Sequence, residues 1–146
     1  MVEPGGTDHP ALLPILLVAI GGALGAAGRE AVSLALPPVD GVPIAIVVVN
    51  TIGAFALGLL AEAVTRPTVS EVRRTRLKLL LGTGFCGGFT TYSSLATDTA
   101  VLSSDGHHGQ AAMYALTTLV VGAVATYAGI VVGTRVASVP RSSADR

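Results

Sequence analysis

Asn50, Thr90, Thr91, Tyr114 and Thr118 are hydrogen-bonding residues embedded in segments that are otherwise apolar. Polar side chains are costly in hydrocarbon, so those that occur there mark packing seams or paths for polar cargo. Asn50 carries a donor and an acceptor on one amide. It has two readings: a structural bond to a neighbouring main chain, or a lining group for a polar path. Tyr114, Thr118 and Gly122 recur every fourth residue and form a narrow stripe on one helix face, which either lines a path or reflects ordinary threonine packing. Arg29 ends an apolar segment and can snorkel to the interface. Asp98 lies near the end of another, where exposure and burial are equally open. No nucleophile stands in a spacing that pairs it with a base, so the chemistry is non-covalent and the chain is read as no enzyme. "DGHHG" (105–109) reads as a polar turn rather than a metal site, because adjacent histidines on a helix point apart.

The densest cluster is "TGFCGGFTTYSS" (83–94), inside a long apolar run. Gly82, Gly84, Gly87 and Gly88 weaken a helix there. Thr90 or Thr91 can cap a new one by accepting from exposed backbone N–H groups. The pattern predicts two half-helices, about 77–86 and 91–102, with a break between them near the bilayer midplane. Backbone groups freed in lipid must be satisfied. Carbonyls at a helix C-terminal end suit a cation, and the next helix N-terminus favours an anion. The expectation is an ion site at the membrane centre; the plainer alternative is a glycine kink without a ligand.

The elements that position these residues follow from composition. The 146-residue chain is 51% hydrophobic and 12% charged, with a mean hydropathy of +0.69; soluble domains carry about 25% charged residues. Four apolar segments, 12–36, 43–63, 77–102 and 111–139, each reach the roughly 20 residues that span a bilayer. They predict a single all-α transmembrane domain over 1–146. The connections "PPVDGVP", "TRPTVSEVRRTR" and "SSDGHHGQ" carry turn and breaker residues, and both ends are polar. The leading ten residues hold Glu3 and Asp8 but no Lys or Arg, so the first segment reads as a span rather than a cleaved signal. The lone Cys86 reads as a small apolar filler. No basic cluster is interleaved with aromatics, which leaves nucleic-acid binding without support.

Four spans place the N-terminus, the 64–76 connection and the C-terminus on one side. That side holds eight of the nine cationic side chains (Arg66, Arg73, Arg74, Arg76, Lys78, Arg135, Arg141 and Arg146), and the other holds Arg29. The positive-inside rule makes the first side, with both termini, cytoplasmic. Gly21, Gly25 and Gly28, and Gly122, Ala125, Gly129 and Gly133, are small-residue seams that pack helices closely, within the chain or between subunits.

With these features in hand, the sequence resembles the Fluc (CrcB) family of fluoride channels over essentially its whole length apart from the ends. "GGALGAAGRE" (21–30) is similar to the family's first-span glycines leading to an arginine. "VNTIGAFALG" (49–58) is similar to its second-span pattern around an asparagine, and "TGFCGGFTTYSS" to its most specific motif. The resemblance implies passive, fluoride-specific permeation that lowers cytoplasmic fluoride, through a dimer of oppositely oriented subunits. It implies a structural, untransported Na⁺ at the dimer centre, held by backbone carbonyls that by position are Gly87 and Thr90. It implies pores lined by Asn50, by the aromatic at Tyr92, and by Tyr114 and Thr118, with Arg29 near the vestibule. Asp98 falls where many members have a glutamate.

The chain departs from that pattern where the family usually shows "TTFSTF". Here residues 90–95 read "TTYSSL". Tyr92 replaces the first phenylalanine and Leu95 the second, and a leucine has no electropositive ring edge for an anion. Leu95 and the eight-to-one charge bias both point to a heterodimer with a related chain inserted the other way up, rather than a homodimer. Two other classes compete: a small four-helix proton-coupled multidrug exporter and a non-conducting membrane assembly subunit. The exporter wants a carboxylate buried in a span, and the first span has none before Glu30 at its end.

Overall fold

A computed structural model describes residues 12–137. Among them the regular structure is helical: α1 (Leu12–Ala35), α2 (Ile44–Ala63), α3 (Glu71–Leu77), a π-helical stretch (Lys78–Cys86), α4 (Gly87–Phe89), α5 (Tyr92–Ser104) and α6 (His108–Ala137). Among the described residues, α1, α2 and the 108–135 part of α6 are long and apolar enough to cross a membrane, with mean hydropathies of 1.8, 2.4 and 2.0.

The boundaries follow local chemistry. Pro43 stays outside α2 as its N-cap, one residue later than the apolar pattern begins. Before it, Val39 and Val42 exchange backbone hydrogen bonds of 3.1 and 2.9 Å. Asp40 and Gly41 form the tight turn between them, both at positive φ, as an Asp-Gly pair favours. α5 ends in a Schellman motif: Gly106 N–H reaches Ser103 O at 3.1 Å and His107 N–H reaches Leu102 O at 2.9 Å. Gly106 takes the left-handed position, at φ 82°, that this stop requires. The 105–109 stretch is thus partly a turn, but His108 already opens α6, and its Nδ1 lies 2.9 Å from Ser103 Oγ. α6 therefore begins before residue 111. Its expected end at Val139, Arg141, Arg146 and both polar tails lie outside the described residues.

Two expectations need correction. The 64–76 connection is not all loop: Glu71–Leu77 is helical, with Ser70 Oγ accepting from Arg73 N–H at 3.5 Å, Glu71 in the first turn and Arg74 and Arg76 in the last. The charge order suits the helix dipole, a signal present in "SEVRRTR" but outweighed by its polarity. The second correction concerns Gly87 and Gly88. They are helical rather than broken, and Gly87 has φ −63° and ψ −36°. The helical path from Glu71 runs to Phe89. It is interrupted at Thr90 and Thr91, whose ψ angles of 158° and 120° are extended.

Packing is built on glycine. α1 lies chiefly against the π-helical stretch and α4, and α2 lies chiefly against α6. A Cβ at Gly25 would strike the Phe85 carbonyl oxygen, and one at Gly129 the Phe55 carbonyl oxygen. These seams are therefore main chain against main chain, within one subunit, which small residues alone permit in lipid. Phe85 and Phe89 stack at 5.5 Å and 12°, and the Phe89 ring fills the space beside Gly28. The smaller apolar core joins α2, α5 and α6 through Ile46, Leu95, Leu102, Ala111 and Tyr114.

The two ends of the bundle differ in charge. Arg66 Nη2 donates to Gly133 O at 3.2 Å, which brings the 64–70 connection to the end of α6. Among the described residues, Arg66, Arg73, Arg74, Arg76, Lys78 and Arg135 belong to this end. At the other end Asp40, Asp98, Asp105 and His107 border a shared cavity of about 320 Å³.

Candidate functional site

Asn50 organises the interruption. Its Oδ1 accepts from Thr91 N–H at 2.8 Å, and its Nδ2 donates to Thr91 O at 3.1 Å. A backbone N–H can only donate, so this pairing fixes which way the amide points. In a continuing helix the Thr91 N–H would serve the Gly87 carbonyl. Asn50 takes that donor, and the Gly87 carbonyl is released from the bond. One step on, Thr91 Oγ1 accepts from Ser94 N–H at 3.1 Å and caps α5. Ser94 N–H is the donor that would have served Thr90 O. The two side-chain captures thus free the two carbonyls, Gly87 and Thr90, that the motif marks. Thr90 N–H and its hydroxyl both go to Cys86 O, at 2.9 and 2.8 Å, which holds the carbonyl-bearing turn in place.

Beside the interruption lies an open groove of about 460 Å³, bordered by Asn50, Gly87, Thr90, Tyr92, Thr118 and Gly122 among others. α2 supplies Asn50, α4 and α5 flank the extended threonines, and α6 supplies Thr118 and Gly122. Added Cβ atoms at Gly87 and Gly122 would meet nothing within 4 Å. These two glycines keep the groove wide, unlike those of the seams. One Asn50 amide N–H is held by Thr91 O, and Asn50 itself borders the groove.

The other candidate residues divide. Thr118 is 3% exposed and donates to Tyr114 O at 2.7 Å. To face an anion, its hydroxyl must turn its proton out of that bond. Tyr92 borders the groove and is 80% exposed. Tyr114 is only 4% exposed, does not border the groove, and donates its hydroxyl to Asp98 Oδ2 at 3.1 Å. The stripe of Tyr114, Thr118 and Gly122 is therefore split: its first member closes the α5–α6 seam. Asp98, left open between exposure and burial, is half-buried by that bond. Arg29 is half-buried on α1, away from the groove. Leu95 touches the groove but is 6% exposed and sits in the core with Ile46 and Tyr114. Cys86, read as filler, is buried at the groove wall. The sequence offered a main-chain bond as one reading of Asn50 but did not point to Thr91 as its partner. The only signal for that pairing was two polar residues on different spans, each with backbone-like donor and acceptor capacity.

A helical multi-pass membrane protein with a polar interruption and an adjoining groove is the class these features define. The family model described as CrcB-like protein, Camphor Resistance (CrcB) matches residues 16–130. Among curated proteins, the chain is similar to "Fluoride-specific ion channel FluC 2" of Leifsonia xyli subsp. xyli (strain CTCB07). The two are 44% identical over 119 residues, 82% of each chain. It is similar to "Fluoride-specific ion channel FluC" of Chlorobium chlorochromatii (strain CaD3), 41% identical over 119 residues, 80% of this chain and 89% of that one. The protein of the same name from Chlorobium phaeobacteroides (strain DSM 266 / SMG 266 / 2430) is 45% identical over 116 residues, 78% and 87% of the two chains. The chain belongs to the CrcB family.

Proposed function

We propose that this chain is a subunit of a fluoride-specific ion channel that lets fluoride leave the cytoplasm passively. The observation that carries the reading is the Asn50 amide, paired at both of its polar atoms with the Thr91 main chain and bordering an open groove. The relatives' names give that amide its ion. Stripping a small anion of water costs on the order of tens of kcal/mol in a low-dielectric medium. A row of fixed donors must replace its hydration without trapping it. Asn50, the turned-out Thr118 hydroxyl and the exposed Tyr92 ring and hydroxyl are the available groups.

A structural Na⁺, not transported, fits the freed Gly87 and Thr90 carbonyls, since hard cations take oxygen ligands. Two carbonyls are too few, and an inverted second subunit would bring two more to the membrane centre. The outward face of α5 supports such a partner: Ser93 and Thr97 are exposed there beside Ala96 and Ala100, a face better covered by protein than by lipid. The one-sided cations favour a fixed orientation with cytoplasmic termini. They therefore favour a heterodimer with a related, oppositely inserted chain.

Fluoride efflux from liposomes is the test, with the chain alone and with a related partner, read by a fluoride-selective electrode. The expected result is efflux with the partner, reduced at least tenfold by Asn50→Ala, and no comparable chloride flux. Chloride passing as readily as fluoride would overturn the channel assignment. Full flux from the chain alone, with a C-terminal tag found equally on both membrane sides, would overturn the heterodimer.

A further inference from the structure

We infer that the crevice between the first turns of α1 and the helix that begins at α3 binds an anionic phospholipid. The crevice holds about 370 Å³ and is walled by Leu13, Pro14 and Leu17 on one side and by Val72 and Leu79 on the other, with Arg76 at its border. Val72 is 62% exposed and Leu13 47% exposed. Leu13 belongs with Leu12 and Leu16 to the outward apolar face of α1, the face that meets acyl chains in a spanning helix. The crevice therefore joins the lipid-facing surface, and most of its wall is apolar.

Charge selects the headgroup. Glu71 also borders the crevice, but its carboxylate is engaged by Arg74 at 3.2 Å. That leaves Arg76 and, one turn before it, Arg73. Both are exposed, and residues three apart lie on neighbouring helix positions. The Arg76 guanidinium at the border of an apolar crevice, with Arg73 exposed one turn away, complements a phosphate diester carrying acyl chains. A zwitterionic headgroup brings its own cation against these arginines. Near a membrane surface each such cation favours anionic lipid by about fivefold.

The chain contains no tryptophan, so V72W introduces a single reporter at an exposed crevice position. Its fluorescence is measured in vesicles with acyl-brominated phosphatidylglycerol or acyl-brominated phosphatidylcholine at equal mole fraction, and L24W on the outer face of α1 serves as the comparison. The expected result is several-fold stronger quenching of V72W by the brominated phosphatidylglycerol, no such preference at L24W, and loss of the preference in V72W/R73Q/R76Q. Native mass spectrometry of the unaltered chain offered both lipids should show phosphatidylglycerol retained in excess, whatever the folding of the variants. Equal quenching by both lipids, a preference that survives R73Q/R76Q, or no quenching because the chain's own N-terminal residues cover the crevice would each overturn the proposal.

Discussion

Asn50 and Thr91 are bound to each other at two points, side-chain oxygen to backbone N–H at 2.8 Å and side-chain N–H to backbone oxygen at 3.1 Å, across 41 residues of sequence. The amide thus acts as a surrogate peptide group for an interrupted helix. It has a structural duty and a duty toward the groove, and the two are separable by experiment.

Asn50→Ala leaves both main-chain groups of Thr91 unpaired, at about 1–3 kcal/mol each. We expect a lower melting temperature in detergent together with lost flux. Asn50→Asp keeps an acceptor for Thr91 N–H but sets an acceptor oxygen against Thr91 O inside an apolar span, so its stability should fall at least as far as that of Asn50→Ala. A melting temperature unchanged in Asn50→Ala would remove the structural duty.

The glycines sort by what their missing side chains would meet. Gly25→Val and Gly129→Val drive a side chain into opposing carbonyls and should abolish monodisperse protein on size exclusion. Gly122→Ala meets open space and should fold normally, while narrowing the groove and lowering fluoride flux. Wild-type flux from Gly122→Ala would take α6 out of the path.

Gly87→Val is expected to leave the single chain as stable as the parent, since a Cβ there has no neighbour within 4 Å. Its damage should appear on assembly. On the proposed sodium-bridged dimer, the parent should assemble better in sodium than in choline on size exclusion, and Gly87→Val should not. Thr90→Ser keeps the carbonyl and the hydroxyl and should behave as wild type.

Leu95→Phe does not simply restore a pore aromatic. Leu95 is buried against Ile46 and Tyr114, and overpacking such a site costs about 1–3 kcal/mol. We expect a reduced melting temperature and no gain in flux. A variant of equal stability that conducts faster would make residue 95 a pore side chain.

The apolar segments were legible because hydropathy over some twenty residues is a long-range average that few local details disturb. Leu12–Ala35 and Ile44–Ala63 lie within one residue of the segments read from sequence. The glycine seams were legible as small-residue spacing, though not which faces they join. The position of the interruption was less so. The expected half-helices left a break over 87–90; Thr90 does interrupt the helix, yet tertiary contact overrides glycine's low propensity at 87–88. Gly88 must be helical to bring its bare face against Gly22, and its own Cβ would strike the Gly22 carbonyl oxygen. The threonines yield instead, because Asn50 and the Thr91 hydroxyl offer their backbone substitutes for helical partners. No periodicity in one span can reveal a bond supplied by another.

The π-helical stretch Lys78–Cys86 has a further consequence. A wide turn holds more residues per turn than an α-helix and is rare at such length. Losing one residue from an α-helix turns everything downstream by about 100°. Here a wide turn can rewind as ordinary α-helix and offset that rotation, since it already holds the extra residue. Gly84 and Gly88 would then stay on the side of α1, and Thr91 near Asn50. In this part of the chain residue type matters more than residue number: the loss of one codon can be taken up by rewinding, whereas a side chain at Gly84 or Gly88 meets the main chain of α1.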